Sequence, residues 1–255
     1  LALEAKLLVG AFTAAAATHA TGSVTVGVIG GAVGGVAVAL VQAALVLGAR
    51  AEQVVVGVVL NLLALSGTRF LLQAIYGEGA NSPPVASVGD RLVDNPVAWV
   101  ALAAALVVPW WLARTRRGLH ARAAGDRPAA LRAVGVSVPG VRLRVLVLGG
   151  ALAGVGGAQL SLSVGVFAAE MSAGRGYLAL AAVILSGWRP VRAALIALAI
   201  AAAEAIRIQL QVRGDTLVPR ELAQVLPYLV TLVVLAGFGG GRRPPAALGR
   251  ADDGA

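Results

Sequence analysis

The sequence predicts an all-α fold, a polytopic helical bundle in a membrane with about eight transmembrane segments. Three observations predict it. Hydrophobic residues make up 58% of the 255 positions and charged residues 13%, about half the charged share of a soluble domain. Mean hydropathy is +0.85, and several apolar runs approach the ~20 residues that cross a bilayer. The apolar residues are mainly Ala, Val, Leu and Gly, with only 4% aromatics. Small side chains let helix backbones approach in lipid, where no hydrophobic effect drives association.

Composition also excludes chemistry. The chain has no cysteine, so disulfides and thiolate metal sites are ruled out. Its two histidines, His19 and His120, are too far apart in sequence to suggest a metal cluster. A net charge of +9 would suggest nucleic acid in a polar chain. In a hydropathic one it reads as arginine held on the cytoplasmic side. Lys6 is the single lysine, which we read as compositional bias. The first residue is Leu1 and no charged segment precedes an apolar core, so no signal peptide is expected. The chain reads as a piece that begins inside a transmembrane region.

Four regions follow: a transmembrane half at 1–113, a cytoplasmic loop at 114–144, a second transmembrane half at 145–238 and a disordered tail at 239–255. The first span is 7–20, broken by Thr21, Gly22 and Ser23. The second, 24–47, carries Gly27, Gly31 and Gly35 on one helix face. That stripe fits tight helix packing, with a solute path lined by bare backbone as the alternative. A polar turn at 48–52 leads to a third span at 54–76. Arg69 lies near its far end and is expected to snorkel to the interface. The segment 77–95 is a loop, and 96–113 is a fourth span ending in Trp110 and Trp111, as at an interfacial aromatic belt.

The fifth span, 143–166, carries Gly150, Gly154 and Gly157. A loop at 167–176 precedes an apolar stretch at 177–188, half a bilayer long, which predicts a short or broken helix. A basic turn at 189–192 separates it from a span at 193–206, with Glu204 either the one acid placed for proton coupling or an interfacial or Arg207-paired carboxylate. A polar segment and a last span at 221–238 follow. With 114–144 inside, fourteen arginines lie inside and five outside, as the positive-inside rule requires. The stretches 50–67 and 220–237 align weakly and run oppositely across the membrane, which suggests an inverted repeat.

No nucleotide-binding loop, nucleophile elbow or zinc-protease motif occurs. The loop at 114–144 holds eight arginines and one acid, Asp126. Its punctuation predicts structure. A basic helix at 115–124 is expected to stop at Gly125. Asp126 would cap a second, two-turn helix at 127–134, with Pro128 in its first turn and Gly135 as its end. Ser137 and Pro139 close the loop. It is either a solvated basic loop or a docking element.

The segment G-L-H-A-R-A-A-G-D-R-P-A-A-L-R-A-V-G-V-S-V at 118–138 resembles the cytoplasmic coupling segment of bacterial ABC-importer permeases. The group includes branched-chain amino acid and ribose permeases, and the simple-sugar and nucleoside branch is most similar. Three further stretches agree with it: Leu3-Glu4-Ala5 through Gly10-Ala11-Phe12, Gly57 through Asn61, and Met171 through Ala182 followed by Trp188-Arg189-Pro190. Ala5 and Lys6 depart from the family pattern, which has glycine and an uncharged residue there. The family has about ten spans, so its N-terminal spans are expected to be missing here.

The resemblance implies a permease subunit that does no chemistry itself. Its partners would be ABC ATPase subunits, a second permease subunit, an extracytoplasmic substrate-binding lipoprotein and membrane lipid, with no nucleic acid. The chain would bind no cofactor, ATP and Mg being held by the ATPase. It would sit in the bacterial cytoplasmic (inner) membrane. Coupling would fall to Gly125, Asp126, Pro128, Ala129, Leu131, Arg132 and Gly135. As uncharged polar residues inside spans, Gln42, Asn61, Gln159, Ser161 and Ser163 are candidates for the translocation path, with helix-to-helix bonding as the alternative. The solute expected first is a nucleoside, then a simple sugar, then a branched-chain amino acid. The competing reading is a stand-alone secondary transporter or channel.

Overall fold

The computed structural model describes residues 2–89, 95–213 and 244–247. They fall into two units, one running to Tyr177 and the other starting at Leu178. The described residues contain nine α-helices and no strand.

In the first unit, α1 (Leu3–Thr21) ends at Gly22, whose φ of 69° lets its N–H turn back to the Thr18 carbonyl. α2 (Val24–Ala43) returns alongside and closes with one π-helical turn, Ala44–Gly48. α3 (Gln53–Tyr76) stops at Gly77 with φ 73°. α4 (Pro96–Arg114) starts where the Asn95 side chain accepts from the Val97 and Ala98 N–H groups and Pro96 opens the first turn. Two short helices, α5 (Arg116–Asp126) and α6 (Pro128–Ala133), precede α7 (Val138–Val164). α7 begins five residues before the expected span, because Ser137 caps it through the Gly140 N–H and Pro139 sits in its first turn.

Among the described residues, four helices are long and apolar enough to cross a membrane: Val24–Gly48, Gln53–Tyr76, Pro96–Arg114 and Val138–Val164. The expected last span at 221–238 lies outside the described residues, as do the second arm of the repeat at 220–237 and all but 244–247 of the tail.

Glycine organises the core of this unit. A Cβ on Gly35 would fall on the Gly150 carbonyl oxygen, and one on Gly154 on the Gly31 carbonyl oxygen. On α1, a Cβ at Gly10 would lie 2.6 Å from the Gly154 Cα. The α2 stripe read from sequence therefore meets the α7 stripe, with α1 closing the third side. Gly31 opposes Gly154 and Ala158 while Gly35 opposes Gly150 and Gly154, so α2 and α7 run antiparallel. Backbones in direct contact gain dispersion along their whole length without side-chain ordering.

The loop after α3 is stitched to the end of α7. Ser82 N–H donates to the Phe167 carbonyl (2.8 Å), Val85 N–H to Gly165 (2.8 Å) and Val88 N–H to Leu162 (2.9 Å). The Ser82 hydroxyl in turn accepts from Phe167 N–H (2.9 Å). Phe167 is fully buried and meets Phe12 edge to face at 5.4 Å.

In the second unit, α8 (Arg175–Leu185) has eleven residues, the short helix that 177–188 predicted. α9 (Pro190–Arg213) packs on it through Leu178, Ala182, Leu185, Ile196 and Ile200. The expected basic turn at 189–192 is corrected, since Pro190 opens α9 and takes Val191 and Arg192 into the helix. Glu204 pairs with Arg207 (2.6 Å), as one of the readings made for it expected.

Candidate functional site

Two places hold the residues that the sequence singled out. The first is the helix pair α5–α6. The Thr115 side chain caps α5 by accepting from Gly118 N–H (3.0 Å). Gly118 sits where a Cβ would fall on the Trp111 carbonyl oxygen, so α5 folds tightly against the end of α4. The break between the helices differs from expectation. Gly125 is helical within α5, and Asp126 is the last residue of α5, not a cap. The joint is Arg127 (φ −144°, ψ 70°), with no side-chain cap. Proline is the reason: Pro128 forbids the helical conformation at the preceding residue and has no N–H to continue the α5 ladder.

α6 spans six residues and ends as expected at Gly135, with φ 74°. Gly135 N–H donates to Arg132 and Val136 N–H to Leu131, both at 3.0 Å. Leu131 is buried with Ala124, Val138 and Val141, and so anchors α6 to the first turn of α7. Asp126, Ala129, Arg132 and Gly135 are exposed and Pro128 is half-buried. The unit is thus pinned from inside by one leucine and presents an outer face.

The second place lies where α1, α3 and the segment before α8 meet. Glu4, at the start of α1, accepts through Oε1 from Gly174 N–H (2.9 Å) and through Oε2 from Gly176 N–H (2.7 Å). A Cβ at Gly176 would lie 2.6 Å from Glu4 Oε2, so only glycine admits the carboxylate. The Asn61 Oδ1 accepts from Ala5 N–H (3.0 Å), and its Nδ2 donates to the Tyr177 hydroxyl (3.0 Å). Three separate stretches, around Glu4, Asn61 and Tyr177, converge here.

Two turns further along α3, Arg69 forms an ion pair with Glu170. The guanidinium thus has a carboxylate partner in the loop after α7 that the sequence did not name. Glu170 and Ala173 have φ of 62° and 44°, left-handed conformations that cost non-glycine residues about 1–3 kcal/mol each. Here they bend the chain so that Glu170 meets Arg69 and Gly174 meets Glu4.

The other path candidates are placed differently. Gln42 is buried in α2, and Ser161 is fully buried, donating to the Ala158 carbonyl (3.3 Å). Ser163 is exposed and donates to Leu160 (3.1 Å). Gln159 is half-buried, and its Oε1 meets no hydrogen-bond donor among the described residues. Asn61 joins a network with an exposed member, Tyr177. Sequence reasoning singled out neither Glu4 nor the Arg69–Glu170 and Asn61–Tyr177 pairs. The available signal was that Glu4, Asn61 and Tyr177 each sit in a stretch that the resemblance had marked.

Residues 1–235 match the family described as "branched-chain amino acid transport system / permease component". The nucleoside ABC transporter permease protein NupC of Lactococcus lactis is 30% identical, over 97% of this chain and 85% of that protein. The guanosine ABC transporter permease protein NupQ of Bacillus subtilis is 27% identical, over 98% and 86%. TsgC13 of Haloferax volcanii, named provisionally as a glucose ABC transporter permease protein, is 30% identical over 92% and 82%. No solved structure matches the chain.

Proposed function

We propose, from the premise that the chain belongs to the branched-chain amino acid transport system permease family, that it lines the path of a nucleoside or simple sugar. It is a multi-pass membrane protein and the permease subunit of an ABC importer. Two relatives named for nucleosides or guanosine support the nucleoside first, and a third named for glucose supports a sugar next. A branched-chain amino acid is third. In this reading the protein sits in a bacterial cytoplasmic membrane with loop 114–144 inside. A second permease subunit completes the pore, and a substrate-binding lipoprotein delivers the solute. ATP and Mg are bound by separate ATPase subunits, and this chain holds no cofactor.

The observation that carries the coupling role is the shape of α5–α6. A helix of six residues would not persist alone in water. Here Pro128, Gly135 and the buried Leu131 fix it in place, and Ala129, Arg132 and Gly135 form an exposed outer face. Motion of an ATPase against that face would pass through Leu131 to α7. Arg132→Glu and Ala130→Pro test this in the purified complex with its ATPase. Both variants should insert in the membrane, yet lose ATPase co-purification and solute uptake. Retained co-purification with full uptake would exclude the coupling role. Competition among labelled guanosine, ribose and leucine for uptake identifies the solute class.

A further inference from the structure

Two polar residues of α3, Asn61 and Arg69, lie well inside a helix long and apolar enough to cross a membrane. α3 has 24 residues, about 36 Å at 1.5 Å per residue, against a hydrocarbon core of about 30 Å. Asn61 lies eight positions from its start and Arg69 seven from its end, each about 10–12 Å inside the helix. α1 runs alongside in the same direction, since Ala5 bonds Asn61 and His19 stacks on Tyr76. Glu4 is therefore level with Asn61.

The chain after α7 descends past both levels. Phe167 meets Phe12, Glu170 meets Arg69, and Gly174 and Gly176 meet Glu4. Residues 165–174 are thus irregular backbone alongside the inner turns of α1 and α3, and α8 starts there; with α3 as a span, this backbone lies at membrane depth. Such backbone is tolerated only inside protein or along a water-filled cavity. Asn61, Leu65 and Arg69 follow at intervals of four, one stripe of the helix. Tyr177 is 55% exposed, and the Arg69 and Glu170 side chains are 54% and 49% exposed. An ion pair and a phenol half open to hydrocarbon would each carry a large desolvation cost.

We propose that the α3 stripe Asn61–Leu65–Arg69, with Tyr177 and Glu170 held against it, is the solute-contacting wall of the translocation path. The solute class follows from what the wall still offers. Arg69 and Glu170 neutralise each other, so no net charge selects an ion. Among the described residues, nothing accepts the proton of the Tyr177 hydroxyl, and Asn61 uses one of its two amide N–H groups. These are donors for the hydroxyls of a neutral, sugar-bearing solute. Half-exposed donors with unused hydrogen-bonding capacity are what a wet path offers a solute, and burial of this face against the second permease subunit is the competing outcome that the labelling experiment detects.

This inference rests on the permease reading, and the cysteine-free sequence lets the two be tested apart. Leu65→Cys and, on the opposite side of α3, Leu63→Cys are made in the complete transporter with its ATPase, partner permease and binding protein. Both are exposed to a charged, water-soluble methanethiosulfonate reagent. The expected result is labelling of Leu65→Cys, slowed several-fold by guanosine or ribose during turnover, with Leu63→Cys inert. Cross-linking of Leu65→Cys to the second permease subunit without protection by solute overturns the wall in favour of an interface. An inert Leu65→Cys overturns it in favour of lipid. In either case, uptake by the unmodified complex still decides the permease reading.

Tyr177→Phe supplies the second readout. Uptake should fall about tenfold, the worth of one hydrogen bond at the upper end of its range. A deoxy analogue of the nucleoside or sugar should lose its disadvantage relative to the parent solute. A purely structural role would slow both solutes equally and leave that ratio unchanged, which would also overturn the contact.

Discussion

The glycine seam and the polar junction share α1 but are joined in opposite ways. Along the seam, Gly10, Gly31, Gly35, Gly150 and Gly154 bring three backbones together with nothing between them. At the junction, a few residues away on α1, Glu4 and Ala5 are held by hydrogen bonds to Gly174, Gly176 and Asn61. A seam of this kind has no alternative partner: any separation leaves a gap or a clash. A hydrogen-bonded joint can exchange its partners for water or solute at small net cost. The difference separates what must stay rigid in this unit from what can open.

Breaking the seam should have the largest effect. Gly154→Leu drives a side chain into the Gly31 carbonyl, with backbone on both sides unable to yield. A loss of more than about 3 kcal/mol is expected, seen as collapse of the thermal unfolding midpoint and of monodisperse protein in detergent. Gly149, five positions before Gly154, faces open space. Gly149→Ala should stay within about 0.5 kcal/mol of the parent, and an equal loss there would show that the seam is not what matters.

Breaking the junction should cost less and act locally. Glu4→Ala removes two charge-assisted bonds in a part-buried site, about 3 kcal/mol together at the low end of the range for such bonds. Hydrogen exchange should quicken across 170–177 and stay slow in α2. Uniform quickening would mean that the junction is part of the same rigid body as the seam. The smallest effect is expected at Gly135, whose φ of 74° makes Gly135→Ala cost about 1 kcal/mol. It should loosen the end of α6 and lower solute moved per ATP hydrolysed, without changing the unfolding midpoint by more than a few degrees.

Which parts were legible in the sequence follows from how far apart the interacting residues lie. The glycine stripes on α2 and α7 were visible because a four-residue period is local. That they face each other was not, since nothing in one helix names its partner. The half-length helix α8 was readable from its apolar length. The α5–α6 break was misplaced by two residues because Gly125 and Asp126 carry strong terminal preferences. Pro128 imposes a steric rule on its neighbour Arg127, and sterics outweighed propensity. The Glu4 clasp joins residues 170 positions apart, and Arg69 and Glu170 were each readable as solvated charges until the fold brought them together.

The seam also sets the entropy of whatever moves. Glycine has no rotamers, so closing α1, α2 and α7 together freezes no side chains at the contact. For the same reason the contact cannot soften by rotamer exchange as temperature rises. It has two conditions, closed or parted, with no graded state between them. Any stroke delivered through Leu131 to the foot of α7 would therefore be carried by the three helices together, as a stator carries load, and be felt where the bonds are replaceable.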